Sequence, residues 1–303
     1  MPEEIDYHGW KSIVLNSGEA EIVIPLEIGP RIVSCRLGDG PNLFHNVAEE
    51  LGTKGDDEWH LRGGHRLWHS PEQKPRTYDP DNHAIVVTDA SDGGVTLEAP
   101  KADASGLFKS IRVDAIGEQQ FRLTHTIRSE NQWPVTFAPW ALTVLERGGQ
   151  AAIPLLPKGS HETELLPSYS IVPWTYTDFS LPCWSFNKHF IGIDTSQAFV
   201  PQKIGLTGYP EWSAYWQEGG TFIKSAEVDP DATYPDFGCC FEAFCNDFMI
   251  ELETLGALRT LECGETVEHI EEWKIVADLP KPDSDESFAE GVGAVVDDWM
   301  SSL

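Results

Sequence analysis

The sequence has few basic residues, no long apolar run and little helical periodicity, and each shortage excludes a class of protein. Lysine and arginine together number 21 against 49 aspartates and glutamates, which gives a formal net charge of −28. A field of that sign repels nucleic acid and anionic membrane surfaces, so we expect neither as a partner. No apolar stretch approaches the length of a membrane span. No signal peptide is visible in the first residues, and the chain is predicted to be soluble and cytoplasmic.

Cysteine is present but is not arranged for zinc or for disulfides. The six cysteines, at positions 35, 183, 239, 240, 245 and 263, include no C-x-x-C pair of the kind that zinc sites use. A chain of 303 residues also has no need of the disulfide framework that small secreted domains depend on. We therefore expect buried thiols. The G-x-S-x-G, H-E-x-x-H and P-loop patterns are absent as well, and no cofactor is expected.

What the sequence does contain is a long series of short β-like segments, for example 21–25, 84–88, 121–127 and 271–276. Gly, Pro, Asn and Asp punctuate these segments, as expected for turns between strands. With 11 Trp and 14 Phe, the chain can fill a large core. These features predict an all-β fold, a β-supersandwich of two large antiparallel sheets packed face to face around a cleft. We expect one domain over residues 1–303.

One segment, 283–302, has clear helical periodicity, with an apolar stripe on one face. The stripe consists of Phe288, Val292, Val295, Val296 and Trp299. Asp283 or Ser284 is suited to cap the start of a helix. We therefore expect a C-terminal helix over about 284–302 that packs on the sheet surface and has a structural role.

The segment 249–255 places acidic residues where strand interiors are usually apolar. Side chains on a strand alternate between faces, so Glu251 and Glu253 share one face with Met249 and Leu255. Neighbouring carboxylates repel each other and lose hydration unless a cation, hydrogen-bond donors or a shared proton compensates. A polar site is the functional interpretation, and a sheet face turned to water is the simple alternative.

A second polar constellation occupies the segment 62–72, Arg-Gly-Gly-His-Arg-Leu-Trp-His-Ser-Pro-Glu. If the part after the glycines is extended, His65 and His69 share one face with Leu67, while Arg66 and Trp68 share the other. A guanidinium fork, imidazoles and a flat aromatic face suit a polyhydroxylated ring, whose hydroxyls need donors and acceptors. A solvated surface loop is the alternative.

Three segments near the C-terminus resemble the end of galactose mutarotase-like (aldose 1-epimerase) proteins: Leu-Glu-Thr-Leu at 252–255, Leu-Glu-Cys-Gly-Glu at 261–265 and Glu-Trp-Lys-Ile at 272–275. In that superfamily the Leu-Glu-Thr strand carries the catalytic glutamate, which falls on Glu253 here, and Cys263 replaces a proline of the next turn. The Gly63-Gly64 element is similar to the strand that carries substrate-binding His or Arg. The whole set looks most like a DUF4380-type branch.

The sequence departs from that resemblance at the general acid. The family places its acid histidine in a Thr-Asn-His-x-Tyr-Phe strand after a Pro-Val pair, and the corresponding run at 134–142 has Trp140 in its place. Aldose 1-epimerisation needs a base for the anomeric hydroxyl and an acid for the ring oxygen, and Trp cannot act as that acid. Either His65 or His69 supplies the proton from the neighbouring strand, or the chain binds sugar without turnover.

The resulting hypothesis is a carbohydrate-binding protein whose partner is a small-molecule sugar. As an enzyme it would be an aldose 1-epimerase-type isomerase, with Glu253 as the base and His65 or His69 as the acid. The alternatives are a non-catalytic sugar-binding module or sensor and, less favoured, a uronate lyase or hydrolase. The expected substrate-binding residues are Arg66, Trp68, Glu72, Trp140, Lys203, Asp236, Glu242 and Glu251. No feature of the sequence specifies an oligomeric state.

The clustered carboxylates require a counter-charge, and two sources are available. A divalent cation such as Ca²⁺ is one, since it prefers several carboxylate and carbonyl oxygens. The basic side chains of Lys203 and Arg66, with the histidines, are the other. Because no D-x-D-x-D-G loop is present, we expect a site without metal.

Overall fold

The computed structural model describes residues 2–91, 93–208 and 211–302 and consists mainly of antiparallel β-structure. The strands, in chain order, are β1 (Glu3–Tyr7), β2 (Trp10–Ser17), β3 (Ala20–Pro25), β4 (Arg31–Ile32), β5 (Ser34–Leu37), β6 (Gly64–Ser70), β7 (Val86–Ser91), β8 (Gly94–Glu98), β9 (Leu107–Gly117), β10 (Gln120–Ser129), β11 (Val135–Glu146), β12 (Gln150–Pro154), β13 (Ile171–Pro173), β14 (Trp184–Phe186), β15 (Phe190–Asp194), β16 (Gln202–Thr207), β17 (Trp212–Gln217), β18 (Gly220–Ser225), β19 (Cys239–Cys245), β20 (Met249–Leu255), β21 (Arg259–Leu261) and β22 (Thr266–Val276). Short 3₁₀ helices occur at Ala48–Glu50, Arg76–Tyr78 and Thr195–Gln197.

The strands form three sheets, two of them large. The ten-stranded sheet has the order β14-β15-β12-β17-β18-β22-β10-β9-β8-β7, and the eight-stranded sheet has the order β13-β16-β19-β20-β11-β6-β4, with β21 pairing to β11. A four-stranded sheet, β1-β2-β3-β5, was not predicted. The expected all-β fold with large antiparallel sheets is confirmed, whereas the single domain over 1–303 stays a prediction. Within the described ranges, no helix has the length and apolarity that crossing a bilayer requires.

The core lies between the sheets because each strand turns alternate side chains inward. Leu123 of the ten-stranded sheet, Leu252 of the eight-stranded sheet and Ile22 of the four-stranded sheet all belong to one apolar cluster. On β10, Phe121 and Leu123 are fully buried, while the residues that alternate with them along the strand are partly exposed. The period-two pattern in the sequence is therefore the pattern that separates core from surface.

The C-terminal helix packs on the outer face of the ten-stranded sheet, as expected. Helix α1 (Asp285–Phe288) begins after Ser284, whose side chain accepts from the Ser287 N–H, and α2 (Ala294–Met300) follows after a π-helical turn at Ala289–Gly293. The ring of Phe288 stacks on Phe190, with the ring centroids 4.5 Å apart. The π-helical interruption was not predicted; it contains two glycines, which weaken α-helical structure.

Five of the six cysteines are buried, which agrees with the expected buried thiols. Cys263 is the exception, because it lies in the exposed turn between β21 and β22. Burial raises the pKa of the Cys245 thiol to about 12, so this thiol stays protonated at neutral pH.

A buried ion pair of the ten-stranded sheet is hydrogen-bonded to the eight-stranded sheet. Lys224 Nζ on β18 lies 2.6 Å from Glu271 Oε1 on β22, and neither side chain is exposed to solvent. The same ammonium donates to Thr143 Oγ1 at 3.1 Å and to the Leu252 carbonyl at 3.0 Å, both on the eight-stranded sheet. Trp273 Nε1 donates to the second carboxylate oxygen at 2.9 Å. Each charge is therefore paired and hydrogen-bonded, as a buried charge must be.

Three buried histidines extend this network. His65 Nε2 lies 2.8 Å from His125 Nε2, His65 Nδ1 lies 2.9 Å from Thr143 Oγ1, and His125 Nδ1 donates to the His269 carbonyl at 2.9 Å. Burial lowers the pKa of all three imidazoles, to about 3 for His269. One proton on His65 Nε2, donated to the lone pair of His125 Nε2, satisfies both rings in their neutral forms. His125 is thus a core histidine.

We predict that Glu271→Gln lowers the free energy of unfolding by about 3–5 kcal/mol, because it leaves the Lys224 ammonium buried without a counter-ion. Urea unfolding monitored by tryptophan fluorescence measures the change. The matched control is Glu272→Gln on the next residue of the same strand, whose partner Arg122 is 40% exposed; we expect a loss below about 1 kcal/mol. Equal losses in the two variants would contradict a central role for the buried pair.

Candidate functional site

The candidate site lies on the face of the eight-stranded sheet that is turned away from the core. On β20, Ile250 and Leu252 enter the core cluster, so Glu251 and Glu253 project to the opposite face, as the alternation predicted. Strand β11 contributes Trp140 to that face. Long-range antiparallel pairing brings the neighbouring strands β6, β16 and β19 alongside, and with them the remaining polar groups of the site.

A buried lysine forms the floor of the site. Lys203 on β16 is 4% exposed, and its Nζ lies 2.7 Å from Glu242 Oε2 and 2.9 Å from Glu253 Oε2. Two indole rings cover the ammonium, with Nζ 4.8 Å from the Trp140 centroid and 4.7 Å from the Trp174 centroid. Trp140 Nε1 also donates to Glu253 Oε2 at 2.8 Å. The lysine thus combines two ion pairs with two cation–π contacts.

The two carboxylates compete for this single ammonium. Glu242 and Glu253 are directly opposite each other on β19 and β20. Burial raises the pKa of both, and that of Glu242 lies well above its ordinary value. Burial alone would lower the pKa of Lys203, but the two carboxylates raise it above its ordinary value. The lysine is therefore charged at neutral pH, and the two buried carboxyl groups ionise less readily than exposed ones.

Arg66 supplies the counter-charge for the third carboxylate. Its Nη2 donates to Glu251 Oε1 at 2.9 Å, and its guanidinium lies over the ring of Trp68, with Cζ 4.4 Å from the centroid. These contacts pair Glu251 with Arg66 and the two opposed carboxyl groups with Lys203, while the expectation of a site without metal stays a prediction. Stacking fixes the plane of the guanidinium and so fixes the direction of its hydrogen bonds.

Aromatic side chains surround the charged floor and form an open cleft of about 350 Å³, a volume that suits a small molecule. Trp68 is the centre of the wall, with ring centroids 5.5 Å from Trp140, 5.8 Å from Trp59 and 5.0 Å from Tyr78. Besides these four aromatics, the cleft is lined by Leu61, Arg66, Glu72, Leu142, Tyr176, Lys203, Phe244, Asn246, Met249 and Glu251.

His65 and His69 do not line this cleft, and the expectation that they do is wrong. They follow the alternation of β6, in which Arg66 and Trp68 face the cleft, so both histidines point into the space between the sheets. His65 belongs to the buried network around Lys224. His69 is buried beside Phe137, and burial lowers its pKa to about 3. Neither imidazole is on the face of the sheet that carries Glu253.

The remaining expected residues occupy different parts of the site. Glu72 lies at the rim, where its carboxylate accepts from the Tyr78 hydroxyl. Glu242 and Glu253 lie beneath the cleft surface, covered by Lys203 and Trp140. Asp236 is not among the lining residues: it accepts from Ser70 Oγ at 3.0 Å, at the end of β6. Asp236 is therefore outside the cleft lining, although it is close enough to Glu242 for its charge to help raise the pKa of that carboxyl group.

Several residues of the cleft were missed by the sequence reading. Trp59 and Tyr176 come from irregular segments and Tyr78 from a short 3₁₀ helix, where no long periodic pattern indicates which way a side chain points. A signal did exist for the interior network, because Glu271 alternates in phase with Trp273 and Ile275 along β22 and is therefore a charge at a core position. The sequence predicts a strand at 271–276 but gave no predicted role to the Glu271 carboxylate.

One group of residues has the composition of a metal site. Ligand atoms from His65, His125 and Glu271 lie within 4.8 Å of one another. An ion there would have to separate the two hydrogen-bonded imidazoles and would lie beside the Lys224 ammonium, which already neutralises Glu271. A dication at that place gains little charge compensation. The carboxylates of the cleft are paired with Lys203 and Arg66.

Comparison with known proteins identifies the fold. No family model and no curated protein matches the sequence. Among solved structures, a galactose mutarotase-like protein from Clostridium acetobutylicum matches with a TM-score of 0.58 and 10% identity, over 91% of this chain and 98% of that chain. A candidate aldose 1-epimerase from Escherichia coli K12 matches with a TM-score of 0.57 and 11% identity, over 88% and 99%. The chain has the galactose mutarotase-like fold, as the resemblance implied, while the DUF4380-type branch stays a prediction.

We predict that Lys203→Met makes stability steeply dependent on pH. The pKa values of Glu242 and Glu253 are raised in the folded state, so their contribution to stability is present at low pH and is lost as pH rises through the folded pKa. Removing the ammonium raises both pKa values further. The free energy of unfolding, measured in urea from about pH 5 to about pH 8, should therefore fall more steeply than in the wild type, with a loss of about 3 kcal/mol at neutral pH.

The control for this experiment is the double variant Lys203→Met, Glu242→Gln. The double variant has one buried carboxyl group to ionise instead of two, so the excess pH dependence should decrease; it should not vanish, because Glu253 stays buried without a counter-ion. Parallel pH profiles for Lys203→Met and the wild type would show that the lysine is not the counter-charge of this pair.

Proposed function

We propose that this chain, which has the galactose mutarotase-like fold, is a carbohydrate-binding protein whose cleft holds a sugar ring without interconverting its anomers. The observation that carries the proposal is the composition of the cleft, in which aromatic faces surround paired charges. Trp59, Trp68, Trp140 and Tyr176 offer flat apolar surfaces for the C–H face of a sugar. Arg66, Glu251 and Lys203 supply fixed donors and acceptors for its hydroxyls.

The neutral charge balance of the site also favours an uncharged ligand. Arg66 is paired with Glu251, and Lys203 is paired with two carboxyl groups, so no cation in the floor is left over for an anionic substituent. The net charge of −28 further disfavours a phosphorylated or carboxylated sugar. A neutral aldose or a glycoside is therefore the substrate class that we propose.

The absence of turnover is proposed on three grounds within the described residues. Trp140 stands at the family's acid position and donates to Glu253 instead of offering a proton to a ring oxygen. His65 and His69 are on the opposite face of the sheet. Glu253 itself is fully buried beneath Lys203, so it makes no contact with the cleft in this conformation. General acid–base catalysis needs both groups within hydrogen-bond reach of the substrate.

Aldose 1-epimerisation is the second candidate, and one observation favours it. Carboxyl groups with raised pKa values are suited to proton transfer near neutral pH, and Glu242 and Glu253 provide two of them. For this candidate, sugar binding would have to move the Lys203 side chain aside and expose Glu253.

We predict that the chain binds a neutral monosaccharide and that Tyr176→Ala weakens the binding about tenfold, a loss of about 1.4 kcal/mol. Tyr176 lines the cleft and is 44% exposed, so its removal costs little stability. Isothermal titration with a panel of hexoses and pentoses measures the affinity. Trp133→Ala is the control, since Trp133 is 66% exposed and does not line the cleft. Absence of saturable binding across the panel would refute the proposal.

We further predict that the wild type does not accelerate mutarotation. Exchange NMR on freshly dissolved α-aldoses should give the same anomerisation rate with the wild type, with Glu253→Gln and with buffer alone, because neither Glu253 nor His65 or His69 lines the cleft. A rate enhancement that the wild type shows and Glu253→Gln lacks would establish the epimerase instead.

A further inference from the structure

An unusual turn precedes β19 and presents an aromatic ring to solvent. Phe237 is 93% exposed, the most exposed of the large apolar side chains in the described ranges. Both Phe237 (φ 64°) and Asp236 (φ 49°) have left-handed backbone conformations. For a bulky residue this conformation is an outlier, and each such residue costs about 1–3 kcal/mol. The turn begins within the Tyr-Pro-Asp run at 234–236 and is not part of the cleft.

The turn is held in this conformation from both sides. The N–H groups of Gly238 and Cys239 each donate to the Pro235 carbonyl at 2.8 Å. Ser70 Oγ donates to Asp236 Oδ2 at 3.0 Å, which ties the turn to the end of β6. Since the exposed ring of Phe237 buries almost no surface, packing within the chain does not offset the strain. Strained residues that surrounding bonds hold in place are concentrated at functional sites.

An open pocket of about 460 Å³ lies beside this ring. Its lining includes Tyr234 and Asp229, with Thr233 and two glycines, so aromatic surface, a carboxylate and a hydroxyl lie together. The Tyr234 hydroxyl accepts from the Asp229 N–H at 2.9 Å, which fixes both residues. We call Phe237, Tyr234 and Asp229 the Phe237 shelf. It offers a stacking platform and acceptors for hydroxyl hydrogens, the same combination as the cleft.

A hydrogen bond ties the turn that carries the shelf to β6, a strand that also lines the cleft. Trp68 lines the cleft and Ser70, which holds Asp236, is the next residue of β6 on that face. Residues two apart on a strand are separated by about 7 Å. The Ser70–Asp236 hydrogen bond therefore places the turn beside the residue that follows Trp68 on the cleft face of β6.

We infer that the Phe237 shelf is a second sugar-binding position, so that the ligand is an oligosaccharide or an extended glycoside and not a lone monosaccharide. One ring occupies the cleft, and a ring further along the same chain stacks on Phe237. This inference rests on the proposed function and specifies its substrate class.

The test compares ligand lengths in two variants. Monosaccharides, disaccharides and tetrasaccharides of glucose, galactose and mannose are titrated calorimetrically into the wild type, Phe237→Gly and the control Phe199→Ala. Phe199 is also highly exposed, at 65%, but it lies against Arg147 and lines neither the cleft nor the shelf. Melting temperatures are measured for all three proteins.

We expect the wild type to bind its preferred tetrasaccharide at least about tenfold more tightly than the matching monosaccharide, because stacking on an aromatic ring contributes on the order of 1 kcal/mol or more. Phe237→Gly should remove this preference, leave monosaccharide binding unchanged, and keep or raise the melting temperature, since glycine adopts the left-handed conformation without strain. Phe199→Ala should retain the preference.

Two results would overturn the inference, and they differ in what they say about the proposed function. If the wild type binds monosaccharides and tetrasaccharides equally, or if Phe237→Gly keeps the length preference, the shelf is not a sugar-binding position while the proposed function stands. If the wild type binds none of these sugars, both are wrong.

Discussion

The interaction on which the rest of the structure depends is the buried Lys224–Glu271 pair between the two large sheets. Neither charge reaches water, so each must find all of its partners within the protein. Those partners come from both sheets: Thr143 and the Leu252 carbonyl on one side, and Trp273 on the other. The network therefore requires β11 and β20 of one sheet to pack in one alignment against β18 and β22 of the other. The opposite faces of β11 and β20 carry Trp140 and Glu253, so the same alignment positions the floor of the cleft.

A second buried ammonium, that of Lys203, determines what the cleft can do. Two carboxyl groups and two indole rings surround it, so it is charged and held in place. A lysine held in this way gives the floor fixed polarity but is a poor proton donor, because its carboxylate neighbours raise its pKa. Binding by stacking and hydrogen bonding is compatible with such a floor, whereas proton transfer at an anomeric centre needs a different arrangement. In the proposed binding role, the aromatic walls and the Phe237 shelf both supply stacking surfaces for sugar rings.

The histidines show where reasoning from the sequence failed and why. Alternation on β6 correctly separated His65 and His69 from Arg66 and Trp68, yet all four were expected to line the cleft. Opposite faces of one strand cannot meet the same ligand, so one set had to be excluded. The local sequence did not indicate which set faces away from the cleft, because both sets contain polar residues. The orientation was decided by the neighbours: His65 found His125 and Thr143 inside, while Arg66 found Glu251 outside, 185 residues away in the sequence.

By itself the sequence determined the all-β class, the C-terminal helix, the shared face of Glu251 and Glu253, and the need for a counter-charge beside them. These properties follow from short-range periodicity and from the cost of burying charge, both of which act within a few residues. Only the tertiary structure decided which face of each strand became core, which cation met which carboxylate, and which aromatics from irregular segments closed the cleft. Those outcomes depend on contacts such as that between Lys203 and Glu253, 50 residues apart, whose geometry exists only once the strands have paired.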